Sequence, residues 1–460
     1  MVHGEMDSLR GRIGCAPAKQ FFFDRACSVS AADLVSKTSL VHDRSELAGR
    51  SVLVATDSQL TSALALIELD GIARRLAILP PDIASDHLPA LLADAEIDAV
   101  VTDADPKGPL ADIPLRVACT PSLAPAGKIP PAQFHTEWVL LTSGTTGVPK
   151  MVAHNLRGLT AAIAPRSDTL PVVWGTFYDM RRYGGLQIFL RAVLGGASLV
   201  LSSAGEPVAD HLVRLARHGV THLSGTPSHW RRALMSPELG KIAPRYVRLS
   251  GEIADQAILD ALRAAFPQAA IGHAYASTEA GVGFSVDDAL AGFPAAYLDG
   301  PRGHVDIKLV DGSLRIRSSG AASRYVGAQR ATLLDSEAFV DTGDMVERRG
   351  DRYFFVGRKG GIINIGGLKV HPEEVEAIIN RHPKVRMSLV RPKRSPFTGA
   401  IVIADVVLKA ACTRADDEAG VKDEILDLCR GALPRHKVPV AISLVPALAV
   451  AATGKLARRG

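Results

Sequence analysis

From about residue 50 onward, short apolar runs alternate with amphipathic stretches. SVLVAT (Ser51–Thr56) reads as a buried strand, and SQLTSALALIELDGIARR after it carries apolar positions at helical spacing. DAVVTD, EWVLLT, ASLVLS, THLSG, YVRLSG and IGHAYAS repeat the strand texture, with helical patterns such as VADHLVRLARHG and DQAILDALRAAFP between them. Strands that alternate with helices predict parallel sheets covered on both faces. In such sheets ligands gather beyond the carboxyl ends of the strands, so the loops after these runs are where chemistry is expected.

Past residue 300 the texture changes. VDIKLVDGSLRIRS is two alternating strands around Asp311-Gly312, a hairpin signal. After YFFVGRKGG a compact segment begins: HPEEVEAIINRHP predicts a helix with Pro372 in its first turn and acids near its positive end. VRMSLVR, AIVIADVVL and VPVAISLV read as strands, and VKDEILDLCRGAL as a helix. The expected fold is α/β: a large N-terminal domain (1–357) of parallel sheets plus a small β-subdomain, followed by a small α+β domain (358–460).

Composition narrows the class. Hydrophobic residues at 47% and charged residues at 22% are ordinary for a globular chain of 460 residues. The formal charge of +5 is mild, and no Lys/Arg stripe with interleaved aromatics is present, so nucleic acid is not an expected partner. Cys15, Cys27, Cys119, Cys412 and Cys429 lack short pair spacing, which argues against a zinc site or a disulfide framework. No apolar run approaches the roughly 20 residues of a membrane span, and the first residues carry no apolar secretory core. A soluble, cytoplasmic protein is the expectation.

The richest loop is TSGTTGVPK, Thr142–Lys150, which leaves the predicted strand EWVLLT. Its hydroxyls, glycines and backbone N–H groups can converge on an anion, and Lys150 adds positive charge. It is not a GxxxxGK[ST] phosphate loop, because Pro149 precedes the lysine and no Ser or Thr follows it. Alone, the stretch fits a solvated turn equally well.

Four further stretches stand in order behind it: YASTEAG (Tyr275–Gly281), DTGD (Asp341–Asp344), GRKGGIINIGGLKVHPEEVE (Gly357–Glu376) and TGKLARR (Thr453–Arg459). Together with TSGTTGVPK they resemble, in sequence order, the signature motifs of the adenylate-forming superfamily, which includes acyl- and aryl-CoA synthetases and peptide-synthetase adenylation domains. The resemblance implies a two-step reaction: a carboxylic acid attacks the α-phosphate of ATP with release of pyrophosphate, and the acyl group then passes to the thiol of coenzyme A. The same chemistry on the phosphopantetheine of an acyl carrier protein, or amino-acid adenylation, are the alternatives. A non-catalytic nucleotide-binding relative would lack Glu279 or Lys455, and both are present.

Bringing two anions together requires positive charge and hydrogen-bond donors where charge builds. The resemblance assigns the β,γ-phosphates of ATP to Thr142, Ser143, Gly144, Thr145, Thr146, Gly147 and Lys150, and the α-phosphate to Thr278. Glu279 is the expected Mg²⁺ ligand. Asp344 is expected on the ribose, with Arg358 nearby. Tyr275, Ala276, Ser277, Gly251 and Glu252 are expected to wall the adenine and the adjoining acyl group. Lys455 is expected to reach from the small domain to the carboxylate and α-phosphate oxygens. A mobile small domain pivoting within GRKGGIINIGG (Gly357–Gly367) would then present Gly366, Gly367 and Lys369 to the incoming thiol.

The chain departs from the family pattern at several places. Ala276 stands where glycine is usual, Gly360 where Asp or Lys is common, and only about 140 residues precede the signature loop. TFYDMRRYGGLQ (Thr176–Gln187) lacks the histidine of many acyl- and aryl-CoA ligases. Asp179 either grips a substrate α-amine or does not face substrate, and Arg181 or Arg182 either pairs with a polar group of the acid or is solvated. Tyr178, Asp179, Arg182, Tyr183, Gly184, Gly225, Thr226 and Trp230 are the expected substrate pocket, suited to a flat, small to medium acid; Trp230 fits a helix core as well.

Overall fold

The computed structural model describes residues 8–13, 20–41, 44–127, 131–142, 149–164, 170–327, 332–365, 368–395, 399–409, 418–451 and 453–457. Two eight-stranded sheets and one five-stranded sheet build the large domain. The first is parallel at its centre, where Ser51–Val54, Arg75–Ile78, Ala99–Thr102, Leu115–Pro125 and Glu137–Thr142 pair, and antiparallel at both edges. The second runs parallel through Phe21–Phe23, Ser198–Val200, Val173–Thr176, His222–Gly225, Tyr246–Ser250 and Ala270–Ser277, and Gly281–Val286 closes one edge antiparallel. The expected parallel sheets are therefore mixed sheets with parallel centres.

The largest core draws on both sheets, with Val52, Ile78 and Trp138 from one and Phe22 and Leu199 from the other. Helix Gln59–Leu69 lies in it with every residue buried, which explains why its sequence is apolar around most of its circumference. Ser58 caps that helix, its side chain accepting from the Leu60 N–H. On the other side of the second sheet, helices Val208–Arg217, Pro227–Ala233 and Gln256–Ala265 pack on Leu223, Val247 and Leu249. The third sheet is antiparallel and includes the predicted hairpin, Val305–Val310 with Ser313–Ser318, next to Val340–Arg349 and Arg352–Arg358.

A separate core begins at Ile363. Strands Val385–Ser395, Gly399–Leu408 and Ala441–Leu444 form its sheet, and helices Pro372–Ile379 and Glu418–Ala432 supply Val375, Ile379, Ile425 and Cys429. Around Gly360 and Gly361 an added Cβ would meet nothing within 4 Å, so the connection is open to torsional change. No helix among the described residues is long and apolar enough to cross a membrane.

Candidate active site

Four parallel strands of the second sheet end at Thr176, Gly225, Ser250 and Ser277, so the loops that follow them open at one edge of the sheet. The turn after Ser277 is tightly held. Ser277 Oγ accepts from the Ala280 N–H at 2.9 Å, and the Glu279 carbonyl accepts from Ala322 N at 2.9 Å. Gly281 adopts φ +76°, and a Cβ there would lie 2.4 Å from the Gly320 carbonyl oxygen, which only glycine avoids. The Thr278 carbonyl accepts from His154 Nε2 at 2.8 Å. His154 is buried against Tyr183, and burial pulls its pKa down to about 4, so the ring is neutral; its Nδ1 is enclosed without a partner. The Glu279 carboxylate forms no hydrogen bond or ion pair among the described residues, and its charge acts on Arg358, Lys455 and Tyr325.

A second group lies on the third sheet. Tyr275 donates its hydroxyl to Asp344 Oδ2 at 2.5 Å, and Arg358 Nε donates to Asp344 Oδ1 at 2.9 Å. Asp344 and Arg358 are register partners across the strand pair. Tyr275 stacks on Phe355 at 5.2 Å and 8°; burial and then the charge of Asp344 hold its hydroxyl well above the usual tyrosine range. Arg358 lies above its ordinary value: burial pulls it down, but Asp344, Tyr275 and Glu279 outweigh that. A carboxylate offers about four acceptor positions, so Asp344 keeps room for further donors.

The C-terminal segment docks against these groups. Thr226 Oγ1 donates to the Gly454 carbonyl at 2.6 Å, and the Leu456 N–H donates to Glu252 Oε1 at 2.9 Å. Glu252 also accepts from the Ser228 N–H (2.9 Å) and hydroxyl (3.0 Å), so one carboxylate joins a helix start to the small domain. Lys455 Cε comes within 3.4 Å of a Cβ built on Gly251, whose φ is +86°. The protein around Lys455 lowers its pKa from the usual lysine value by desolvation, with Glu252 the largest opposing charge. The residue is nonetheless exposed, so water is still a neighbour of its side chain. Asn380 Nδ2 donating to Asp255 Oδ2 at 3.2 Å adds a further contact between the domains.

Thr142 ends its strand opposite Lys150, whose Nζ lies 5.3 Å from the ring centre of Tyr325. Ser143, Gly144, Thr145, Thr146 and Gly147 lie outside the described residues, as do Gly366 and Gly367. Lys369 is exposed on the hairpin Ile363–Ile365/Leu368–Val370, opposite Asn364.

Several pocket expectations need correction. Both oxygens of Asp179 are taken by Arg181, from Nε at 2.9 Å and Nη2 at 2.6 Å, and Arg181 Nη1 donates to the Thr56 carbonyl at 2.5 Å. Arg181 thus already supplies the counter-charge of Asp179, and is itself a buried brace toward the first sheet. Arg182 pairs with Asp82. Trp230 is fully buried between Phe177 and Phe266, so it belongs to the core. Tyr183 is buried against His154. Tyr178 remains at the strand ends: its hydroxyl donates to the Ser250 carbonyl at 2.9 Å, and its ring lies 3.6 Å from a Cβ built on Gly184. Ala276 is half-buried on its strand, and Gly225 packs against Phe177, 2.8 Å from an added Cβ.

Sequence reasoning missed His154, Tyr325 and His229. The only signal for His154 was a histidine on the Lys150/Val152 side of an apolar strand, and spacing alone does not say that it holds the Thr278 carbonyl.

The chain matches the AMP-binding enzyme model over residues 41–323 and the AMP-binding enzyme C-terminal domain over 374–455. It belongs to the AMP-binding enzyme family. Among curated relatives, 4-coumarate--CoA ligase 1 of Solanum tuberosum is 28% identical over 318 residues, which is 62% of this chain and 57% of that protein. Probable acyl-activating enzyme 5, peroxisomal, of Arabidopsis thaliana is 26% identical over 421 residues, 82% of this chain and 74% of the relative. The chain thus spans 57% of the length of the potato ligase it matches. The anthranilate CoA ligase AuaEII in complex with anthranoyl-AMP superposes with a TM-score of 0.78 at 18% identity, covering 98% of this chain and 96% of that one. E. coli MenE with bound OSB-AMS gives 0.76 at 19%, covering 96% of both. These structures show the fold.

Proposed function

We propose that the chain is an ATP-dependent acid–thiol ligase that makes an acyl-adenylate and then an acyl-CoA. The observation that carries this is the docking of Lys455, from the small domain, beside Gly251 and within the field of Glu252, Asp344, Arg358 and Glu279. An ammonium there meets the joined carboxylate and α-phosphate, where negative charge builds as the acid attacks. Thr142 and Lys150 flank the loop assigned to the β,γ-phosphates, and Thr278 is assigned to the α-phosphate. Asp344, braced by Tyr275 and Arg358, accepts from the ribose. Glu279 suits Mg²⁺: a single carboxylate without a protein partner is what that ion takes when phosphate oxygens and water complete its shell. The bound ion would neutralise phosphate charge.

Coenzyme A is the acceptor we favour, in keeping with the ligases named above; a carrier-protein phosphopantetheine is the second reading. Amino-acid adenylation loses its one support, because Arg181 occupies Asp179. We place the small-domain pivot at Arg358–Gly361 and the protein in the cytoplasm, where free thiols such as Cys27, Cys119 and Cys429 persist. The test is pyrophosphate release with a panel of carboxylic acids, followed by thioester formation with coenzyme A or a holo-carrier. Acid-dependent pyrophosphate without thioester on coenzyme A rejects that acceptor. A chain that never consumes ATP with any acid rejects the whole proposal.

A further inference from the structure

Strand Tyr246–Ser250 has two faces. Val247 and Leu249 are fully buried under the outer helices, whereas Tyr246, Arg248 and Ser250 are half-buried on the opposite face. Ser250 on that face holds the Tyr178 hydroxyl, so the face continues beneath the acyl side of the site. Helix Tyr183–Leu194 packs on strands Val173–Thr176 and Ser198–Val200 of the same sheet, and Gly184 in its first turn lies beside the Tyr178 ring. Two helical turns beyond Gly184 stands Arg191, which shares that helix face. The charge of Arg191 acts on Arg248, Tyr246 and Tyr183, and that of Arg248 on Tyr178, so the two guanidinium groups lie within electrostatic range of one another and of the Tyr178 side of the site.

Neither arginine has an acid partner. Arg191 Nη2 donates to the Ala162 carbonyl at 3.2 Å, and Arg248 Nη1 reaches only the Tyr246 hydroxyl at 3.4 Å. Among the described residues no carboxylate lies within the 4.0 Å of an ion pair with either. Asp287 leans over Gly272, the register partner of Arg248, yet forms no such pair with it. The enclosed arginines Arg75, Arg181, Arg214 and Arg231 each hold a carboxylate instead. Burial and the neighbouring Arg248 draw the Arg191 pKa down to about 10, which leaves Arg191 cationic at neutral pH. Two like charges without a counter-ion, most of their donors unused, are a recognition surface for an anion.

We propose that Arg191 and Arg248 form an anion-binding floor of the acyl pocket, and that the acid activated here carries a second carboxylate at the end remote from Lys455. This rests on the acid-activating role given above. Seven residues of helix from Gly184 to Arg191, and three of strand from Gly251 to Arg248, each span about 10 Å. Less the reach of the arginines, the two carboxyl groups stand on the order of 5 to 8 Å apart, the span of terephthalate or adipate rather than of a short diacid.

The test compares terephthalate and adipate with their monomethyl esters, and with benzoate and hexanoate, in the pyrophosphate-release assay. Each ester keeps the size and removes the second charge. A charge-assisted contact predicts kcat/KM about 10- to 100-fold higher for the diacid. Arg191→Met and Arg248→Met erase that gap by raising the diacid KM, leaving the esters within about threefold, and Arg191→Lys restores part of it. Thermal melting of each variant reports whether it folds. Esters and monoacids used as well as diacids by the wild-type chain overturn the floor while acid activation stands. So does equal loss on all acids in both folded methionine variants. No pyrophosphate from any acid overturns both the floor and the reading beneath it.

Discussion

Gly454 sits where the small domain meets the large one, and replacing it with alanine isolates the docking step. Its φ is +75°, and a Cβ there would fall 1.9 Å from His229 Cε1 and 2.4 Å from Nε2. His229 has no room to yield: it is buried, stacked on Phe177 at 5.6 Å and edge-on to Tyr178 at 5.9 Å. It also stands in the capping box of helix Pro227–Ala233. The left-handed backbone alone costs alanine about 1–2 kcal/mol. Moving the segment away breaks the Thr226–Gly454 and Glu252–Leu456 hydrogen bonds, about 1 kcal/mol each. The sum, about 3–4 kcal/mol against the docked state, lowers its population by roughly 100- to 1000-fold at 1.4 kcal/mol per decade.

Acid-dependent ATP–pyrophosphate exchange reports adenylation, and thioester formation from supplied acyl-AMP reports the second step. Gly454→Ala is expected to reduce exchange by about 100-fold or more, while the second step, for which the proposed pivot moves the small domain out of this docking, stays within about threefold. Thr226→Val moves in the same direction, and Thr226→Ser, which keeps the hydroxyl, stays near wild type. A folded Gly454→Ala protein that keeps a third or more of its exchange activity refutes the docking scheme. So does equal loss of both half-reactions.

Three further outcomes follow from the same geometry. Lys455→Ala removes the ammonium without disturbing the segment; exchange drops at least about 100-fold and thiolation of supplied acyl-AMP persists, and parallel loss in both assays contradicts the assigned role. Glu279→Gln raises the Mg²⁺ concentration needed for half-maximal exchange by about tenfold, and an unchanged requirement removes Glu279 as the ligand. His154 and His229 are neutral in the fold, with pKa values drawn by burial from 6.5 to about 4 and about 3. Because these folded values lie below the unfolded one, the stability they contribute is whole above about pH 6.5 and declines as the pH falls toward 4, by up to about 1.4 kcal/mol per pH unit per histidine. Denaturant midpoints measured from pH 7 to 4.5 check this, with His154→Gln expected to show a shallower slope and an identical slope counting against it.

The strand–helix alternation was legible because its period is local. Glu137–Thr142, Tyr246–Ser250, Gln256–Ala265 and the hairpin at Asp311-Gly312 all fall where the apolar pattern puts them. The antiparallel edges were not, since Lys150–Asn155 and Gly281–Val286 look like any apolar strand and their direction is set by partners far along the chain. The pocket failed for a related reason. Asp179, Arg181 and Arg182 sit side by side in sequence, but Arg181 turns back on Asp179 and on Thr56 from the first sheet, while Arg182 finds Asp82. A charge written in a loop does not say whether its counter-ion comes from substrate or from another sheet. That depends on residues about 100 positions away, which periodicity cannot see.

Arg191 and Arg248 are hidden in the sequence for a similar reason. Both lie inside regular elements whose apolar pattern is otherwise complete, so each reads as the tolerated polar position of a helix or strand. In the fold their charges act on one another, and among the described residues neither has a carboxylate partner. A half-buried guanidinium without an acid partner keeps its unused donors for water or for an incoming anion, whereas a paired one already has its counter-ion. At Arg75 or Arg231 the chain supplies that counter-ion itself. Where it does not, and where the unpaired groups lie below the strand end that Lys455 approaches, the missing anion is most economically the substrate's own. Saturating terephthalate or adipate should then raise the melting temperature of the wild-type chain, and of Lys455→Ala, but not of Arg191→Met. A stabilisation that survives Arg191→Met would show the diacid held elsewhere.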